Sequence, residues 1–322
     1  MARTVQVTTA PERTAAVVAA ARETDGVAAI RLERGGSLAP PGDVVTVDAT
    51  NQAAHALLDR LAREGLVGGA GTSASTAEPY SLVARDHQDR IDGDTNDATW
   101  EEMASAIRAS TNMRANAVLL MAASGVLAAV GLATDALELV VAAMVIAPEF
   151  QPLVQTALGV VSRSAASARA GVGHVAVGWA ALAASAAATA FALDLSGQDP
   201  LGGGGAYLPA GSLVAYFTTI SATTLATDAA AATAGAVLIA SRRTTLTAGV
   251  SIALPLVPLT ALVGVALVAG EGDTAALALT RWALDAAIVV AAGAAVFGWK
   301  RATALRRPML PYGGAGRAGS PA

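Results

Sequence analysis

Cysteine is absent from the 322 residues, which excludes thiolate catalysis, disulfides and cysteine-based metal sites. Histidine is almost absent: His55, His87 and His174 stand far apart in the chain, so no histidine-cluster metal site is expected. Charge is scarce too, at 14% of residues against about 25% in ordinary soluble domains, while 54% are hydrophobic. The scarcity is local, because the long apolar stretches begin only after about residue 113. A net charge of -4 with no basic stripe gives no reason to expect a nucleic-acid partner, and nothing in the composition calls for a cofactor. Met1 to Arg13 is polar and lacks an apolar h-region, so no cleaved signal peptide is expected, and the first apolar helix is expected to direct insertion.

Residues 1–85 read as a soluble domain. Thr4–Thr9 alternates as a strand does, Pro11–Arg22 reads as a helix, and Gly26–Glu33 and Asp43–Thr50 read as strands. Asn51 is read as the cap of a second helix, Gln52–Glu64, which carries Leu57, Leu58 and Leu61 on one face. Tyr80–Ala84 is the candidate fourth strand, and Gly68–Ala77 reads as loop. The order βαββαβ is that of a ferredoxin-like fold. Residues 86–112 read as a polar linker and a helix before the membrane. Within them, Asp86–Asp97 lacks the ligand spacing and closing Glu of a calcium loop and reads as solvated chain.

Residues 113–300 read as a transmembrane domain, and 301–322 as a basic, Pro/Gly-rich tail. About 20 apolar residues cross a bilayer core as a helix. Six segments qualify: Ala115–Ala133, Ala136–Val161, Ala170–Leu193, Thr223–Ala240, Leu246–Ala269 and Ala275–Trp299. Ala206–Ala222 is read as a re-entrant or interfacial segment, with a seventh crossing as the alternative. Charges give an independent test of the count. With the N-terminus inside, the inner connections carry Arg163/Arg169, Arg242/Arg243 and Lys300/Arg301/Arg306/Arg307, and Arg108 and Arg114 precede the first helix. The outer connections carry Asp135/Glu138, Asp194/Asp199 and Glu271/Asp273 with no Lys or Arg. This positive-inside pattern favours six crossings, with both termini cytoplasmic at the plasma membrane. Gly202–Gly205 lacks the Lys and helix of a phosphate loop and reads as outer loop.

Ile146–Leu153 can be laid over Ile252–Leu259, with Ile, Ala, Pro and Leu matching, and this suggests a three-plus-three repeat with inverted halves. Pro148 and Pro152 in one segment, and Pro255 and Pro258 in the other, remove amide donors and break the helix. Lipid cannot satisfy the freed backbone groups, so protein, water or a ligand must. Ionisable groups at depth cost at least about 2.5–3.5 kcal/mol, so each needs a partner or a wet cavity. Glu149, Gln151, Gln155, Asp228, Arg281 and Asp285 are therefore read as lining a polar pathway, with Glu149 as its protonatable group. Arg281 and Asp285 have the i,i+4 spacing of an ion pair. Asp228 is close enough to its helix end to reach the outer interface, and His174 reads as interfacial. Thr218–Thr227 offers hydroxyls without a nearby base, and no catalytic constellation is seen.

Gly131–Leu153 (GLATDALELVVAAMVIAPEFQPL) and Ala248–Asp273 (AGVSIALPLVPLTALVGVALVAGEGD) resemble the signature regions of the family called domain of unknown function 389. The resemblance covers roughly Ala115–Phe297. It implies a hydrophobic membrane protein of bacteria or archaea with a soluble N-terminal part, and it supplies no activity or substrate. The family commonly has an apolar residue and then Met-Gly-Pro after the first proline, where this chain has Glu149-Phe150-Gln151-Pro152. The expected function is a transporter or channel-like protein for a small solute or ion, homo-oligomeric and embedded in the lipid bilayer. A non-transporting scaffold or sensor is the alternative.

Overall fold

A computed structural model describes residues 2–79, 81–94, 97–111, 115–197, 211–241 and 247–303. The chain divides between Glu102 and Met103 into two compact units. The first contains β1 (Ala2–Thr9), α1 (Pro11–Arg22), β2 (Val27–Leu38), β3 (Pro41–Thr50), α2 (Asn51–Arg63) and β4 (Ser73–Ala77). Its sheet has the order β2-β3-β1-β4, and each neighbouring pair is antiparallel. The register pairs Val5 with Val47 and Val7 with Val45. Four valines therefore share one face, since alternate residues of a strand point the same way. They pack with Val17, Ala20 and Ala21 of α1 and Leu57, Leu58 and Leu61 of α2 to form the core.

Two local expectations are corrected. The fourth strand is Ser73–Ala77, not Tyr80–Ala84: residues 81–84 are irregular, and Tyr80 lies outside the described residues. Pairing with the edge of β1 is a backbone matter, so the weakly apolar SASTA forms the strand where apolar content favoured YSLVA. The cap of α2 is Thr50, whose hydroxyl accepts from the Ala53 amide, not Asn51. Asn51 is thereby freed for another task. Its Oδ1 accepts from Arg3 Nε at 2.8 Å, its Nδ2 donates to the Asp97 carbonyl at 3.0 Å, and its amide donates to the Asp94 carboxylate. Arg3 is fully buried and also lies 3.4 Å from Glu102. The acidic stretch Asp86–Asp97 is thus not simply solvated chain. It contains part of a 3-10 turn at Arg85–His87, the short α3 (Gln88–Asp92) and contacts on Arg3 and Asn51, while Thr95 and Asn96 lie outside the described residues.

Asp43 ties three elements of this unit together. Its carboxylate accepts from the Gly35 amide and from the Thr14 hydroxyl, each at 2.8 Å. These two donors hold the carboxyl below the usual carboxylate range. A depressed folded-state pKa stabilises fully above the unfolded value of about 3.9, and the contribution is lost as pH falls through the folded value. Hydrogen exchange on the full chain is expected to show looser β2–β3 amides in Asp43→Asn at neutral pH, with the difference from wild type shrinking below about pH 3.9. An unchanged difference at acid pH would contradict this assignment.

Helix α4 (Trp100–Thr111) contains the point of division, and the second unit continues with α5 (Ala115–Ala133), α6 (Leu137–Ile146), α7 (Phe150–Val161) and α8 (Ala165–Leu195). After them come α9 (Ser212–Thr218), α10 (Ala222–Ala240), α11 (Thr247–Ala253), α12 (Leu256–Val268) and α13 (Gly272–Thr303). Among the described residues, four helices, α5, α8, α10 and α13, are long and apolar enough to cross a membrane, and the bent pair α6–α7 makes up to five. The polarity is inverted relative to a protein in water: Leu119, Val160, Val172 and Phe191 are exposed, whereas Asp228, Arg281, Asp285 and Gln155 are buried. An exterior of that kind suits hydrocarbon.

The segment expected as one span at Ala136–Val161 is two helices meeting at 43°. The segment expected at Leu246–Ala269 is likewise two helices, the longer having 13 residues, and Leu246 lies outside the described residues. Of Ala206–Ala222, the described part begins at residue 211 and holds the seven-residue α9 and the first residue of α10. The readings of Gly202–Gly205, Arg114, Arg242/Arg243 and Arg306/Arg307 fall outside the described residues.

Small residues let α8 sit close to its neighbours. A Cβ at Gly264 of α12 would strike the Ala183 carbonyl of α8, and one at Gly125 of α5 would strike the Leu182 carbonyl. Gly264→Val is therefore expected to cost about 1–3 kcal/mol through overpacking, read as a lower thermal midpoint in lipid nanodiscs. An unchanged midpoint would mean that α12 and α8 are not in that contact.

Candidate functional site

The site is built where the two proline-containing segments break. Pro148 forces its predecessor out of the helical region, and Ala147 is extended, with φ -73° and ψ 125°. The chain re-enters a helix at Phe150. Pro152 is then the third residue of α7, and Pro258 the third of α12. The first turn of a helix has no partner for its amides, so a proline costs little there. This is why each segment breaks at its first proline and not at its second.

Glu149 stands in the first break. The Thr260 hydroxyl of α12 lies 3.1 Å from Glu149 Oε1 and 2.9 Å from the Leu256 carbonyl. The two broken helices thus meet at a carboxylate. Glu149 Oε2 is buried without a hydrogen-bond partner. A small cavity of about 10 Å³ adjoins it, lined by Met121, Glu149, Pro152, Leu153, His174, Val175, Gly178, Trp179, Leu256 and Trp282.

A second cavity, of about 160 Å³, lies at the other break. Its lining includes Pro255, Met144, Tyr216, Thr223, Thr224, Thr227, Asp228 and Arg281. Arg281 of α13 donates to the Asp228 carboxylate of α10, lies 3.3 Å from Asp285 Oδ1, and donates to Thr224 Oγ1 at 3.3 Å. Its Nε has no hydrogen-bond partner, nor does either oxygen of Asp285. Two carboxylates thus share one guanidinium in the interior. Pro255 lines one cavity and Leu256 the other, so the second break is the wall common to both.

The sequence-derived candidates therefore fall into two groups. Glu149 and Gln155 belong to the first: buried Gln155 Oε1 is 3.1 Å from His174 Nδ1. Asp228, Arg281 and Asp285 form the second. Gln151 is partly buried, and its Oε1 has no partner. Asp228 is not at an interface. It is 2% exposed, because Arg281 draws it inward. His174 is half-buried and faces Gln155 and the Glu149 cavity. Thr260, Trp179 and Trp282 were not legible as site residues. Thr260 is the one hydroxyl in α12, which was the available signal, and its partner lies 111 positions away. Among the described residues, no group of three His, Asp or Glu is placed to hold a metal ion.

Residues 144–296 match the family described as Domain of unknown function (DUF389). The match spans both breaks and includes Glu149, His174, Asp228, Arg281 and Asp285. No curated protein and no solved structure matches the chain.

Proposed function

We propose that this chain, whose residues 144–296 carry a DUF389 domain, is a multi-pass membrane protein that transports or conducts a small solute or ion. The N-terminal unit serves it as a cytoplasmic regulatory or assembly module. The observation that carries the reading is the meeting of two proline-broken helices at Glu149 and Thr260. Broken helices that face one another at depth, with acidic side chains and a cavity beside them, are how transporters hold a solute or ion. A scaffold needs only a dry bundle, so the cavity of about 160 Å³ between Asp228, Arg281 and Pro255 favours transport over the alternative.

Helix boundaries support a duplicated plan. Phe150 and Leu256, where α7 and α12 begin, are 106 residues apart. The starts of α5 and α10, Ala115 and Ala222, differ by 107, as do those of α8 and α13, Ala165 and Gly272. Counting α6–α7 and α11–α12 each as one broken span gives six crossings in two sets of three, and an odd number per set inverts one relative to the other. In the N-terminal unit, the strand order β2-β3-β1-β4 with two crossover helices supports the ferredoxin-like reading.

The test is reconstitution of the full chain in proteoliposomes loaded with proton-, cation- or anion-sensitive dyes. Flux above that of protein-free vesicles is the expected result. Absence of flux for every solute tried would leave the scaffold reading.

A further inference from the structure

Three buried polar atoms without partners belong to residues lining one small cavity. Glu149 Oε2, Trp179 Nε1 and Trp282 Nε1 each lack a hydrogen-bond partner, and all three residues line the cavity of about 10 Å³. The two indoles are held together as a T-shaped pair, with ring centroids 6.2 Å apart. Two of these atoms are donors and one is an acceptor. Buried polar atoms are rarely left unsatisfied. A buried water makes about three hydrogen bonds to such groups and needs a cavity of roughly 10–15 Å³.

His174 lines the same cavity. Its Nδ1 is engaged by Gln155 Oε1 at 3.1 Å. An amide oxygen accepts, so Nδ1 carries a hydrogen and Nε2 is left to gain or lose one. We propose that the cavity binds a single water, which accepts from the Trp179 and Trp282 N–H groups and donates to Glu149, and that this water passes a proton between Glu149 and Nε2 of His174. In the forward step the water turns from one indole N–H to accept the Nε2–H of the imidazolium, takes that proton on the lone pair so freed, and gives one of its own to the carboxylate. Neutral imidazole and carboxylic acid result, the water is regenerated, and the charge of the pair is unchanged in sum. The inference rests on the proposed reading of Glu149 as part of a polar pathway and adds its exchange partner.

The surroundings leave His174 as the partner. Among the described residues, α5, α7, α11 and α12 carry no acid or base, α6 carries only Glu138, exposed in its first turn, and α8 adds to His174 only the exposed Arg169 and Asp194. Helix α13 brings Arg281 and Asp285, and α10 brings Asp228, but these three are engaged with one another.

The test uses the full chain in phospholipid nanodiscs with Trp100→Phe and Trp299→Phe, which leaves Trp179 and Trp282 as the reporters. Tryptophan emission is expected to titrate with pH. Glu149→Gln should remove one step, and His174→Gln should move the remaining step by about one pH unit or more, as coupled sites require. An emission curve that ignores pH, or one that neither substitution alters, would overturn the proposal. Should Glu149→Gln fail to fold, infrared difference spectra of the parent read the same proton on the carboxylic-acid carbonyl band. Absence of any titrating, deuterium-sensitive band overturns it equally. Neither readout needs flux. A coupled titration without transport sinks the transport reading alone, and transport without coupling sinks this inference alone.

Discussion

Arg281→Met is expected to destabilise the helical unit by about 3–5 kcal/mol, the cost of removing one partner from a buried ion cluster. Arg281 is 2% exposed and Asp285 is fully buried, and the single guanidinium faces both Asp285 and Asp228. Without it, two carboxylates remain in the interior with no counter-charge, and relief requires taking up protons or opening α10 from α13. Native proteins hold only about 5–15 kcal/mol of stability, so the loss should appear as a large drop in the thermal midpoint or as failure to fold in nanodiscs. The same account predicts rescue. Arg281→Met combined with Asp228→Asn and Asp285→Asn removes the charges together, and near-neutral replacement is what matched apolar or amide groups achieve for buried ion clusters. If the single variant melts like wild type, the cluster is not buried as described.

Glu149→Gln is expected to leave the fold intact and to lower flux by roughly 10²-fold or more, the usual scale for loss of a side chain that moves protons. Glutamine keeps the volume, and its amide oxygen can still accept from Thr260, whose hydroxyl stands 3.1 Å from Oε1. What it loses is the ability to carry a negative charge or take up a proton. Thermal midpoints of the two proteins should therefore agree while their transport differs. Flux that survives the substitution would remove Glu149 from the pathway without touching the packing argument.

How much of this was legible in the sequence depends on the range of the interaction that decides each feature. Local signals carry the features that are legible. The limits of α5 at Ala115–Ala133 follow from an uncharged run, and the breaks follow from Pro148 and Pro255, whose rings act on the preceding residue and on the carbonyl one turn earlier. The pairing of Arg281 with Asp285 was also local, four residues along one helix. Contacts across the chain were not legible. Arg281 binds Asp228, which lies 53 positions away, and this buries a pathway candidate that the sequence also allowed to reach the outer interface. Thr260 and the two tryptophans carry no spacing signature, because what recruits them is the packing of α8, α12 and α13 around the first break. In the N-terminal unit, four valines on one face announced β1 and β3. The fourth strand was misplaced because β4 has almost no apolar side chains and is held by backbone pairing with β1.

The central claim is that water reaches the interior of the helical unit at the second proline break. The absence of native cysteine makes a background-free test simple. Thr227→Cys and Ile252→Cys place single thiols on two different helices lining the cavity of about 160 Å³, while Leu262→Cys places one in the fully buried apolar core. Each is exposed to a charged, membrane-impermeant thiosulfonate in proteoliposomes. The account predicts rapid modification at positions 227 and 252 and none at 262. Folded protein in which 227 and 252 resist the reagent as completely as 262 would contradict it.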